Sequence, residues 1–311
     1  MSDFTFKKSR LTQIGKIAAS FMMAIFLFRC TIIEIKPNPT IVSSDFYNDV
    51  LFISTNSVQV ETSEPATFQK LSTTPNFEIS SSGLITHNQI NGLNEIEATW
   101  QDGSKKKFYV IVSQPLDKIN FLQGWKNIEK LYKTDTTYAI VIRHAEAIVG
   151  IDQETYSAST GWWKSCDSKL ARQLSENGIL QSKTYGKIFK ALKMPVKQIF
   201  SSEFCRSKQT AELMELGLPV KIDNRINGHF YNVSGMLSQD GMLRILEEQS
   251  KTKQLLLISA HHDISRGIQQ MRTYDMADTF LMKVGADKVS TFQGVVTYPM
   301  WKILYEIKGF K

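Results

Sequence analysis

The chain reads as an α/β three-layer sandwich with a mostly parallel sheet, preceded by a small all-β sandwich. Two observations carry the second part. Tyr138-Ala139-Ile140-Val141-Ile142 and Leu255-Leu256-Leu257-Ile258-Ser259-Ala260 are apolar runs without alternation, the pattern of strands covered on both faces. Helical stretches alternate with such strands, as right-handed crossovers in a parallel sheet require. A third observation carries the first part: from about Ile35 to Val112 the composition shifts to Thr, Ser and Asn in short alternating segments.

Along the chain, Lys7, Lys8, Arg10 and Lys16 precede an apolar stretch from Ile17 to Phe28, followed by Arg29-Cys30. A basic lead before a short apolar run makes residues 1–30 an export signal, of secretory or lipoprotein type, or a membrane anchor. A spanning helix needs about 20 apolar residues, and Arg29 interrupts this one early. Cys30 suits lipidation, although Arg29 stands where that signal prefers a small residue; an uncleaved anchor is the other reading.

Residues 31–113 form the β part. Asn94 to Trp100 alternates polar and apolar, Gln101-Asp102-Gly103-Ser104 supplies a hairpin turn, and Phe108 to Val112 returns. Lys105-Lys106-Lys107 is expected as a solvated hairpin arm. Residues 114–136 are a linker, around Ser113-Gln114-Pro115, and a lead-in helix outlined by Leu122, Trp125, Ile128 and Leu131.

In residues 137–311, Ser175 can cap a helix from Glu176 with Ile179, Tyr185, Ile188, Phe189 and Leu192 on its core face, and Pro195 stops it. Gln198 to Ser202 is a short strand, a helix begins near Arg206, and another helix spans Met242 to Glu248. Arg143, His144, Arg206 and His261 all fall just past strand ends, where open α/β sheets bind ligands. That set suits phosphoryl chemistry: a histidine attacks phosphorus, and guanidinium holds phosphate oxygens in a fork.

These segments resemble the histidine phosphatase superfamily, of phosphoglycerate mutase-like fold. Arg143-His144-Ala145 stands for its Arg-His-Gly motif, and Ser201 to Glu212 for its Ser-Ser-x-x-x-Arg-x-x-x-Thr-Ala-Glu block. Leu174 to Ser182 stands for Leu-Thr-x-x-Gly-x-x-Gln-Ala, and a late strand ending in histidine completes the set. The resemblance spans Tyr138 to the C-terminus. It implies His144 as a nucleophile that forms a phosphohistidine, Arg143 and Arg206 as clamps, and His261 as a donor to the same oxygens, with no cofactor and no metal. Position after the strand favours His261 over His262, and Glu146, His262 and Asp263 are expected to bind substrate. The family's usual carboxylate donor is missing from Asp223 to His229, which leaves Asp263, His229 and Glu146 as candidates. That absence argues against a mutase more than against a phosphatase.

The stretch Phe77 to Thr86 with Gly92 to Ala98 resembles a bacterial immunoglobulin-like repeat, a spacer or binding module. Arg-His-Ala-Glu with a cysteine-bearing loop is similar to the lipopolysaccharide core heptose phosphatases, which implies a phosphorylated sugar or envelope component. Trp162-Trp163-Lys164 can stack on a sugar or pack a lid. Cys166 and Cys205 are compatible with a bridge or with two free thiols. Of the formal charge of +7, residues 1–30 supply five Lys or Arg against one Asp, that is +4. The remaining +3, without a basic stripe, excludes nucleic acid as a partner. The expected protein is thus an exported, metal-independent phosphomonoesterase acting on a small phosphorylated substrate, held to the membrane by its N-terminal segment or a lipid on Cys30. A phosphomutase and a non-catalytic envelope protein that binds a phosphorylated ligand are the alternatives, and the sequence leaves oligomeric state open.

Overall fold

The computed structural model describes residues 38–88, 93–133, 135–149, 152, 161–228, 237–266, 268 and 274–308. The N-terminal segment with Cys30, the glycine at Gly92 and the donor candidate His229 lie outside the described residues. Among the described residues no helix is long and apolar enough to cross a membrane.

The β part has eight strands: β1 (Phe46–Tyr47), β2 (Val50–Ile53), β3 (Ser57–Gln59), β4 (Ala66–Lys70), β5 (Phe77–Ile79), β6 (Leu84–His87), β7 (Leu93–Trp100) and β8 (Lys105–Val112). They form a five-stranded sheet, β1-β2-β8-β7-β4, and a three-stranded sheet, β3-β6-β5. Phe77 and Ile85 of the small sheet share a core with Leu51, Ile53, Phe68, Ile96, Phe108 and Val110 of the large one. The hairpin of β7 and β8 turns where expected, with Gly103 at positive φ. Its lysines are paired as well as solvated: Lys105 with Glu97, Lys106 with Asp49 and Lys107 with Glu95.

All four residues of β2 and the last five of β8 are buried. Side chains alternate between faces along a strand, so these runs need cover on both sides. Leu51, Ile53, Phe108 and Val110 point into the sandwich. Val50, Phe52, Tyr109 and Ile111 join a second core with Phe121 and Trp125 of the next helix. Pro39–Lys311 accordingly make one compact unit. Ser113 is buried, and Pro115 opens α1 (Pro115–Asn127) directly after β8, so the expected linker is a tight joint. On its other side α1 lies against a late strand so closely that a Cβ at Gly124 would collide with the Val295 backbone.

The second part comprises β9 (Thr137–Arg143), α2 (Glu176–Ala191), β10 (Val196–Ser201), α3 (Cys205–Glu212), β11 (Val220–Ile222), α4 (Ser238–Gln249), β12 (Leu255–Ala260), β13 (Thr279–Val284), β14 (Ser290–Val296) and α5 (Tyr298–Ile307). The sheet order is β11-β10-β12-β9-β13-β14. The first four strands are parallel, and β13 and β14 add an antiparallel edge. Every residue of β12, and all of β9 except Arg143, is buried, as their unbroken apolar runs demand. Ser175 caps α2 by accepting from the Gly178 amide. Tyr185, Ile188 and Phe189 face the core, but Ile179 is exposed: one turn into the helix, it lies outside the buried stripe.

Candidate active site

Strand register brings the site together. Ala260 pairs with Arg143 across β12 and β9, and Ser259 pairs with Ser201 across β12 and β10. His144, Ser202 and His261 therefore leave the sheet at one level. The His144 amide donates to the Ala260 carbonyl at 2.9 Å, and the Ser202 amide to the Ser259 carbonyl at 3.1 Å.

His144 is buried, and its Nδ1 lies 2.8 Å from the Ala145 carbonyl oxygen. A carbonyl only accepts, so Nδ1 carries the proton and Nε2 presents a lone pair. Arg206 Nε donates to that Nε2 at 3.2 Å, which requires the same tautomer. Burial first, and the Arg206 charge second, hold the His144 pKa well below the ordinary histidine value, so the ring is neutral at pH 7. His261 is depressed in the same direction by burial, Arg206 and His144, and its Nε2 lies 2.8 Å from Ser202 Oγ. The two rings stand 5.4 Å apart.

Arg206 sits in the first turn of α3. Its guanidinium lies 4.6 Å from the Phe204 ring centroid, and the same ring meets His261 edge-on at 4.4 Å. One turn on, Thr210 Oγ1 donates to the Arg206 carbonyl at 2.7 Å and accepts from the Ala145 amide at 3.0 Å. That double bond explains why an Arg-x-x-x-Thr spacing accompanies the histidine motif. Arg143 Nη1 donates to the Tyr274 carbonyl at 2.6 Å, while its buried Nε has no partner among the described residues. An unpaired buried donor costs about 1–3 kcal/mol, and an oxyanion bound there would recover it.

Two residues escaped the sequence analysis. The Arg172 charge lowers the pKa of His144 and His261 and that of Arg143 and Arg206, so a third guanidinium faces the cluster. Pairing of Ala147 with Leu174 is what brings its segment alongside. Asp152 Oδ1 accepts from Arg206 Nη1 and from the Arg172 amide, both at 3.0 Å. Neither residue belongs to a strand end or a recognisable motif; only the fold places them.

Of the three expected substrate-binding residues, Glu146 has its carboxylate bonded at the start of α2. Its carboxylate accepts from Ser175 Oγ at 2.6 Å and Asn177 Nδ2 at 2.8 Å, which lowers its pKa and commits it to the start of α2. Gly178 permits this: a Cβ there would collide with the Glu146 carbonyl oxygen. His262 and Asp263 begin a 3-10 turn at the rim, His262 exposed and within the field of Arg143, Asp263 within that of Arg206. Trp162 and Trp163 are buried with Ala171 and Phe204, so they pack rather than offer a ring face to a sugar. Cys166 and Cys205 are joined by a disulfide with Cα atoms 5.3 Å apart, which ties this cluster to the residue before Arg206. Among the described residues no group of three His, Cys, Asp or Glu side chains could hold a metal ion.

Residues 140–266 match the family model of the histidine phosphatase superfamily (branch 1). Solved structures similar to the chain include the protein histidine phosphatase SixA complexed with tungstate, at 17% identity and a TM-score of 0.39, covering 52% of this chain and 97% of that one. A phosphoserine phosphatase variant from Entamoeba histolytica in complex with phosphoserine matches at 14% identity and a TM-score of 0.37, covering 53% and 98%. A mycobacterial glucosyl-3-phosphoglycerate phosphatase matches at 12% identity and a TM-score of 0.34, covering 50% and 97%. No curated protein matches the chain.

Proposed function

We propose, from the premise that residues 140–266 are a segment of the histidine phosphatase superfamily, that this chain hydrolyses phosphomonoesters through a phosphohistidine on His144. The His144 ring carries the proposal: Nδ1 is tied to a carbonyl, and the unprotonated Nε2 sits 3.2 Å from a guanidinium that can hold the phosphoryl oxygens. Attack by Nε2 on phosphorus forms the N–P bond and expels the alcohol, and water then cleaves that bond. Arg143, Arg206 and Arg172 supply fixed positive charge, and fixed charge is the main contribution a protein makes to phosphoryl transfer.

Export supports a phosphorylated sugar or other envelope component as substrate. The Cys166–Cys205 bridge favours an oxidising compartment, and the apolar segment before Cys30 supplies a route to it. In this scheme the two-sheet β part is an immunoglobulin-like spacer fused rigidly to the enzyme through α1. The test is hydrolysis of para-nitrophenyl phosphate by the full chain in EDTA, with acid-labile 32P incorporation measured after rapid mixing. Turnover and labelling that both vanish in His144→Ala support the proposal; turnover that persists in that variant would sink it. Transfer of the phosphoryl group to a second hydroxyl rather than to water would make the protein a mutase.

A further inference from the structure

We propose that Asp152 is the leaving-group acid of this site, a role that rests on the phosphomonoesterase reading above. Asp152 is the carboxylate that touches the catalytic clamp. Its Oδ1 meets Arg206 Nη1 at 3.0 Å, while Arg206 Nε meets His144 Nε2 at 3.2 Å. Nη2 of the same guanidinium has no partner among the described residues. A phosphoryl oxygen bound there has the nucleophile at one edge of the guanidinium plane and Asp152 at another. In-line displacement sets the leaving atom opposite the attacking one, and a carboxylate on a different nitrogen of the guanidinium from His144 is placed to reach it.

The other acidic groups are engaged elsewhere. Glu146 is bonded to Ser175 and Asn177. Glu203 takes Trp163 Nε1 at 3.0 Å, Asn227 Nδ2 at 2.8 Å and Lys164 Nζ at 2.8 Å. Asp278 accepts from the amides of Tyr298 and Asp275. Asp275 acts through its field on Arg143 and His262 rather than on Arg206, which leaves Asp263 as the remaining rival. It acts on Arg206 through its field, whereas Asp152 makes the hydrogen bond and is also held by the Arg172 amide, which fixes its approach.

Asp152 is the counter-ion of Arg206. The phosphomonoester enters as its monoanion, passes its proton to the Asp152 carboxylate and takes over that guanidinium as the dianion. In the first step His144 Nε2 forms the N–P bond, the P–O bond breaks, and the departing oxygen takes the proton of the Asp152 carboxylic acid. In the second step water attacks phosphorus, the N–P bond breaks, and the water proton returns to Asp152. Atoms and charge balance without a further reactant.

The experiment compares the full chain with Asp152→Asn and Asp263→Asn on two substrates. One is para-nitrophenyl phosphate, whose leaving group departs without a proton. The other is glycerol 2-phosphate, whose alkoxide does not. General acid catalysis contributes about 10²–10⁴-fold. Asp152→Asn should lose that factor in kcat on the glycerol ester and less than about tenfold on the nitrophenyl ester. Inorganic phosphate binding, measured by calorimetry, confirms that the variant keeps a folded pocket. Equal losses on the two esters would overturn the proposal and leave Asp152 as a positioning residue for Arg206. So would a leaving-group-dependent loss in Asp263→Asn instead. Wild-type protein that turns over neither ester would fell the phosphomonoesterase reading, and the acid with it.

Discussion

Breaking the Cys166–Cys205 bridge is a perturbation whose size follows from the structure. The bridge spans 39 residues of sequence. Closing a ring of that length removes chain entropy from the unfolded state worth about 4 kcal/mol. Cys166 is exposed and Cys205 is buried, so Cys166→Ser opens the ring without placing a hydroxyl in the core. The native contacts remain: Phe204 still stacks under Arg206, Thr210 still holds its carbonyl, and Trp163 still donates to Glu203. The loss should therefore appear almost wholly as stability, a fall of roughly 10 °C in Tm at this chain size. Activity well below the transition should stay within a few-fold of wild type. The assay is urea unfolding of wild type and variant, with turnover of para-nitrophenyl phosphate measured at 20 °C beside it. A stability change below about 1 kcal/mol would refute the ring-closure argument. Unchanged stability with lost turnover would show instead that the bridge sets the position of Arg206.

Two further predictions concern pH and have opposite signs. His261 is held well below its ordinary value, so the unfolded chain binds a proton that the folded chain refuses. The stability advantage of His261→Asn over wild type should then grow as pH falls below about 6.5, by up to about 1.4 kcal/mol per unit, read by urea unfolding at pH 7, 6 and 5. Asp278 is raised from 3.8 to about 7, first by burial, so its contribution is present at low pH and is lost as pH rises toward 7. Asp278→Asn minus wild type should shift by about 4 kcal/mol between pH 4 and pH 8, in favour of the variant at high pH; a difference independent of pH would show that the carboxylate ionises normally.

Strand ends and their residues were legible because the code for a doubly covered strand is local. An unbroken run such as Leu255 to Ala260 has one stable placement, and whatever follows it emerges at the sheet's end. The cap at Ser175 and the start of α3 beside Arg206 are local signals of the same kind. For Glu146, adjacency to His144 in sequence says nothing of direction. Two residues beyond the nucleophile its carboxylate turns to the start of α2, a partner thirty residues away. Arg172 and Asp152 were invisible for the complementary reason, since each reaches the cluster from a loop. The tight joint between β8 and α1 was missed because Ser113-Gln114-Pro115 has the composition of a linker. Pro115 in fact serves at the first position of a helix, where its missing N–H costs nothing.

The electrostatics of the site indicate what it is built to receive. Three arginines face two imidazoles that burial and those same arginines keep uncharged. A neutral ligand would leave the Arg143 Nε unpaired and gain nothing from the positive field. A phosphoryl dianion meets both needs by replacing Asp152 at Arg206, while Phe204, Thr210 and the Ala145 carbonyl fix the groups that receive it. The placement of the carboxylates follows the same logic. Glu203, the acidic residue that follows Ser202, is neutralised by Lys164, and the Glu146 carboxylate is held by Ser175 and Asn177 at the start of α2. Asp152 instead touches Arg206, the guanidinium that the proposed reaction assigns to the phosphoryl group.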